Sequence, residues 1–185
     1  MRAVLVLLLL LPGLSFAQAG VPIVVQKNGL TLELTPRSPD QMASFYEARG
    51  FPPDMIAVIR KQCYITVGIQ NDTQEKRWLD LSKWRFTAGG SVLPFKNRDA
   101  WAREWRRFGA PKSKRATFHW TLLPPVLDYL PGEHEGGNVL LPFTRQPISL
   151  DAVFDTGDDR RGPPLHIHVE GLYCAEDADR EDAEK

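Results

Sequence analysis

The chain predicts an all-β domain, an antiparallel sandwich. Two observations carry this: about eight short β-prone runs, and Gly, Pro, Asn and Asp punctuation between them. A third is negative. No Gly-rich motif opens a helix after a strand, so the βαβ alternation of a parallel sheet is missing.

Residues 1–19 stand apart from that pattern. Arg2 precedes the apolar run Val4 to Leu11, Pro12-Gly13 breaks it, and Ala17-Gln18-Ala19 has the small-x-small spacing of a cleavage site. The run is shorter than the roughly 20 residues that a membrane-spanning helix needs. It reads as a signal peptide, so the mature chain is expected to begin near Gly20, exported to a periplasmic or secreted location. No later stretch approaches membrane length, and no transmembrane segment is expected in the mature chain.

Ile23 to Gln26 and Leu30 to Thr35 read as a hairpin across Asn28-Gly29, a pair that tolerates the positive φ angles of a tight turn. Ser38-Pro39-Asp40-Gln41 then opens a helix, with Ser as N-cap, Pro in the first turn and Gln reaching back. A second short helix starts at Pro52-Pro53-Asp54, so residues 39–60 form a helical insertion. From Tyr64 to Gln70 the period changes to two. Arg77 to Leu81 and Trp84 to Thr87 continue as strands, and Asp99 to Phe108 is a helix candidate. Arg115 to Leu122 alternates most clearly of all and predicts a strand, with His119 on its polar face. A Gly-rich loop after Pro131-Gly132 is expected to hold His134, followed by strands at Val139 to Phe143, Ile148 to Phe154 and Leu165 to Cys174. The domain is therefore placed at 20–175. Residues 176–185, with six acids and no apolar side chain larger than alanine, read as a solvated acidic tail.

The chain has 23 basic and 23 acidic residues, which predicts no bulk affinity for nucleic acid. It has only two cysteines, Cys63 and Cys174. In an exported protein an even pair reads as one disulfide. With no C-x-x-C and apolar strand contexts, a structural bond is expected rather than a redox centre.

The run Ile65 to Asn71 with Leu79-Asp80-Leu81, and Leu130-Pro131-Gly132 with Val139 to Phe143, resembles bacterial exported immunoglobulin-like sandwiches. The resemblance implies a fold and no particular activity.

Two constellations are candidates for function. Between Lys96 and Arg115 there are eight Lys and Arg against Asp99 and Glu104. Trp101, Arg103, Trp105, Arg106 and Arg107 mix rings with cations and suit a protein partner or an anionic envelope component. The same spacing fits a helix that buries Trp101, Trp105 and Phe108 and wets its arginines. The second candidate is His166-Ile167-His168. On a strand, i and i+2 share a face about 7 Å apart, and His119 or His134 offers a third zinc or copper ligand. Asp155, Asp158 and Asp159 lack calcium-loop spacing. Asn71-Asp72-Thr73 satisfies a glycosylation sequon.

No G-x-S-x-G elbow, H-E-x-x-H pair or phosphate-cradling loop appears. The expectation is an exported, non-enzymatic β-sandwich that binds a protein or envelope component and carries no cofactor. The alternative is a periplasmic zinc- or copper-binding protein.

Overall fold

The computed structural model describes residues 20–177; the proposed signal peptide and residues 178–185 of the proposed tail lie outside the described residues. Among the described residues two antiparallel sheets dominate, with four α-helices. The first hairpin forms as its turn residues require: β1 (Ile23–Lys27) and β2 (Leu30–Arg37) meet at Asn28 and Gly29, with φ of 47° and 71°. The Ser38 capping box forms with Gln41 and starts α1 (Pro39–Glu47), and α2 (Pro53–Ile59) follows it. The chain then returns along β2 as β3 (Gln62–Asn71). With β8 (His134–Pro142) these strands make the first sheet, in the order β1-β2-β3-β8.

The second sheet is centred on β9 (Ile148–Thr156). Strand β10 (Leu165–Leu172) lies along one edge of it. The other edge is shared by β4 (Arg77–Asp80) and β5 (Arg85–Ala88), which a single turn of 3-10 helix at Leu81–Lys83 separates. Short strands β6 (Ser91–Leu93) and β7 (Val126–Tyr129) pair with β5 and β4.

Alternation puts one side of each sheet into a common core. Leu30, Leu32, Leu34, Ile65, Val67 and Ile69 from the first sheet meet Phe86, Leu150, Phe154, Ile167 and Val169 from the second. Each such side chain contributes roughly 1.5–3 kcal/mol by leaving water. The Cys63–Cys174 disulfide, with Cα atoms 5.1 Å apart, ties the start of β3 to the segment after β10 and so joins the two sheets.

A second core lies on the outer side of the first sheet. There α1, α2, α3 (Arg98–Arg107) and α4 (Lys112–Thr121) pack Tyr46, Met55, Trp101, Trp105 and Phe118 over Tyr64 and Leu140. This helical layer corrects the all-β expectation, and α4 corrects the strand expected at 115–122. Alternation places Phe118, Trp120 and Leu122 on one face, whereas Phe118 in the helix and Leu122 at its C-cap are buried and Trp120 is 74% exposed. The physical reason is tertiary. Phe118 meets three rings, with centroids 5.5 Å from Tyr46, 5.4 Å from Trp101 and 5.2 Å from Trp105. That aromatic nest outweighs the β propensity of the local sequence. Thr117 and Thr121 adapt by donating their hydroxyls back to Ser113 O and Phe118 O.

The Gly-rich loop is also corrected, because it forms the first half of β8. A Cβ at Gly137 would come within 2.5 Å of Leu123 N, and one at Gly136 within 2.3 Å of Val67 O. Glycine permits this close backbone approach inside a strand. The crossing chain uses it: Leu123 N donates to Asn138 O, while Leu122 and Leu123 enter the helical and the inter-sheet core respectively.

Candidate ligand-binding cleft

The helical layer covers only one end of the first sheet's outer face. Along β2 that face carries Glu33, Thr35 and Arg37; β3 adds Tyr64, Thr66 and Gly68; β8 adds Leu140, Asn138, Gly136 and His134. Tyr64 and Leu140 are roofed by helices, whereas Gly68, Gly136 and His134 are not. A cleft of about 460 Å³ opens where the roof stops, walled by Phe45 of α1 and by Trp120 and Thr121 of α4. Its volume falls within the roughly 300–1,000 Å³ of small-molecule sites.

The floor is a polar row crossing three strands. Arg37 Nε donates to Thr66 Oγ1 at 3.1 Å, and Thr66 Oγ1 donates to Asn138 Oδ1 at 2.9 Å. Asn138 Nδ2 donates to Thr121 O at 3.0 Å, which fastens the floor to the α4 wall. Thr35 Oγ1 donates to Glu33 Oε1 at 3.1 Å. Among the described residues Arg37 forms no ion pair, so its terminal N–H groups remain as donors toward the cleft.

The aromatic wall is held from behind. Arg98 donates from Nε to Leu122 O at 2.9 Å, and its guanidinium carbon lies 5.5 Å from the Trp120 ring centroid. Partial burial lowers the Arg98 pKa from its ordinary value. His119 meets Trp120 edge-on, with centroids 5.7 Å apart. The face of Phe45 is covered, since Arg49 Cζ sits 3.5 Å from its ring centroid.

The sequence candidates fall elsewhere, with one exception. Trp101 and Trp105 are 2% and 1% exposed and stack on each other at 5.6 Å inside the helical core, so neither ring meets a partner. That corrects their place in the expected binding surface; Arg103, Arg106 and Arg107 form the wet side of α3. His166 and His168 stand exposed on the outer face of the second sheet. The Asp151 carboxylate lies 2.6 Å from His168 Nδ1 and Glu170 lies 3.2 Å from Nε2. Hydrogen bonding to Asp151 and then Glu170 raises the His168 pKa above its ordinary 6.5.

His119 sits on a helix and His134 at the start of β8, against the loop expected for it. His134 is the exception, because it lines the cleft. Among the described residues, no group of three or more His, Cys, Asp and Glu could hold a metal ion.

The remaining motifs are structural. Asn71 of the sequon is fully buried: its Nδ2 donates to Glu75 O and Tyr129 O, and its Oδ1 accepts from Thr73 N. Asp155 pairs with Lys83 at 2.6 Å, and Asp159 accepts from Arg161 N, as in an ordinary polar turn.

Sequence reasoning missed the cleft because its wall residue, Trp120, was assigned to a buried strand face. Arg98, which braces the ring, is 22 residues away in sequence and gave no local signal. No protein-family model and no curated protein matches this chain.

Proposed function

We propose that this chain is an exported, non-enzymatic binding module of immunoglobulin-like type that engages an envelope component through the cleft beside Trp120. The carrying observation is the exposed, braced indole walling a polar sheet face on which, among the described residues, the terminal N–H groups of Arg37 have no partner. Trp120 is 74% exposed and borders a cleft with polar groups, the arrangement on which a ligand with one apolar face stacks.

The strand order supports the immunoglobulin-like part. Strands β2-β3-β8 face β10-β9-β4, the neighbour relations of strands A-B-E and G-F-C in such sandwiches. Export is supported by the disulfide and by the signal-like segment 1–19; among the described residues no helix is long and apolar enough to cross a membrane. Cell fractionation with N-terminal sequencing tests it: the periplasmic or secreted fraction should hold protein starting near Gly20.

Co-sedimentation with purified envelope fractions tests the binding function. Murein sacculi or outer-membrane vesicles should retain the wild-type protein and release Trp120→Ala. Equal retention of both proteins, or retention of neither, contradicts the reading.

A second reading is zinc or copper binding at His166-x-His168. It is supported by Asp151, which holds His168 through Nδ1 as carboxylates orient metal-bound imidazoles. Titration calorimetry with zinc or copper(II) should then show a binding isotherm that His168→Ala removes.

A further inference from the structure

The chemistry of the cleft is specific enough to name a ligand class, given that the cleft is a binding site as proposed above. The two charged residues of its floor cancel: Arg37 brings donors and Glu33 brings acceptors. Thr35, Asn138 and the His134 ring add further groups around one open indole. A ligand suited to this surface must donate and accept hydrogen bonds at closely spaced points, carry little net charge, and present one flat apolar face.

A pyranose meets all three conditions. Its hydroxyls both donate and accept, while its axial C–H face is apolar and lies flat against the negative face of an indole. A proline-rich peptide meets them less well. It offers backbone carbonyl acceptors and no matching donors, and it docks into a series of aromatic grooves. Of the two large aromatic rings lining this cleft among the described residues, Phe45 carries Arg49 over one face, which leaves Trp120, 74% exposed, as the more open platform.

We infer that the cleft binds a neutral or N-acetylated saccharide. Trp120 stacks on one sugar ring, and Arg37, Glu33 and Asn138 take its hydroxyls. Gly68 and Gly136 matter by what they lack. At Gly68 the room is taken by the His134 ring, whose Nε2 lies 3.3 Å from where a Cβ would stand, so the imidazole borders the sugar site; at Gly136 the missing side chain permits the close approach to Val67 O. The platform is built before the ligand arrives, because Arg98 is tied to Leu122 O and His119 flanks the ring. Little ordering is then needed on binding, which favours a measurable affinity from a small contact.

The test is titration calorimetry of the full mature protein against chitotetraose, cellotetraose and maltotetraose, with a proline-rich decapeptide beside them. At least one tetrasaccharide should bind, and Trp120→Ala should weaken it by about tenfold or more, equivalent to roughly 1.4 kcal/mol. Trp120→Phe should weaken it less, since a smaller platform remains. Lys83→Ala, on the other sheet, should bind like wild type.

No heat from any saccharide up to about 10 mM, beyond the millimolar range of weak binding, overturns the inference. So does saccharide binding that Trp120→Ala leaves unchanged. Peptide binding that Trp120→Ala abolishes, without saccharide binding, overturns the ligand class while the cleft itself stands as a binding site. Trp120 is mostly exposed, so the variant should fold; an unchanged melting temperature separates lost contact from lost structure.

Discussion

The outer faces of the two sheets are built from the same alternation but end differently. The second sheet presents charged side chains that find partners in the sheet or its adjoining turn: Asp155 with Lys83, and His168 with Asp151 and Glu170. The first sheet has a helical roof over one end of its outer face and an open polar stretch, with Gly68, Gly136 and His134, at the other. A fully solvated face satisfies its polar groups with neighbours and water. A half-roofed face leaves an edge, where an aromatic ring and unpaired donors can be held without being buried. The difference teaches that the helical layer does more than cover the first sheet, since α1 and α4 supply the walls that make a cleft.

Several changes would break or sharpen this contrast. The largest effect is expected at Trp105, which anchors the roof. Trp105→Ala should cost about 3–5 kcal/mol in denaturant unfolding. Trp105→Phe should cost much less, because the indole N–H it removes has no hydrogen-bond partner among the described residues.

Next comes the covalent tie between the sheets. Replacing Cys63 and Cys174 together by alanine releases a link 111 residues apart in sequence. The chain-entropy limit for such a loop is about 4.7 kcal/mol, and the measured loss should fall below that ceiling. Asn71→Ala strands the partners of a buried amide and should cost about 1–3 kcal/mol, read from the same unfolding curves. A glycosylation assay on the folded wild-type chain should find Asn71 unmodified.

At the small end, Trp120→Ala should change stability by less than about 0.5 kcal/mol, as for other exposed positions. His168 sharpens the view of the opposite face. Its raised pKa means that the protonated ring is favoured in the fold. The favourable contribution is therefore complete below the unfolded value near 6.5 and fades as pH rises through the folded value. NMR titration should place the His168 midpoint above 6.5, and Asp151→Asn should lower it.

How much of this was legible in the sequence depended on whether local pattern and tertiary demand agreed. The β1–β2 turn at Asn28-Gly29, the Ser38 capping box and the alternation of β3 are local, and they formed as read. The Cys63–Cys174 pairing followed from having only two cysteines. Residues 115–122 went the other way. Their period-two pattern also contains Phe118 and Leu122 at i and i+4, and only the nest formed by Tyr46, Trp101 and Trp105 decides for helix. Gly136 and Gly137 read as loop for a similar reason, since the crossing of Leu122 and Leu123 that requires them is a long-range event. The cleft depends on both misread segments, so it could not be assembled from the sequence. Of the residues proposed there for function, His134 alone reached it, and for another role.

The most direct measurement is NMR chemical-shift mapping of the mature protein as a bound tetrasaccharide is added. The account predicts shifts confined to the half-roofed face: the Trp120 indole N–H and the amides of Gly68, Gly136 and Asn138. Resonances of Asp151, His168 and Glu170 should stay still. Shifts centred on the second sheet, with the Trp120 indole signal unmoved, would contradict it.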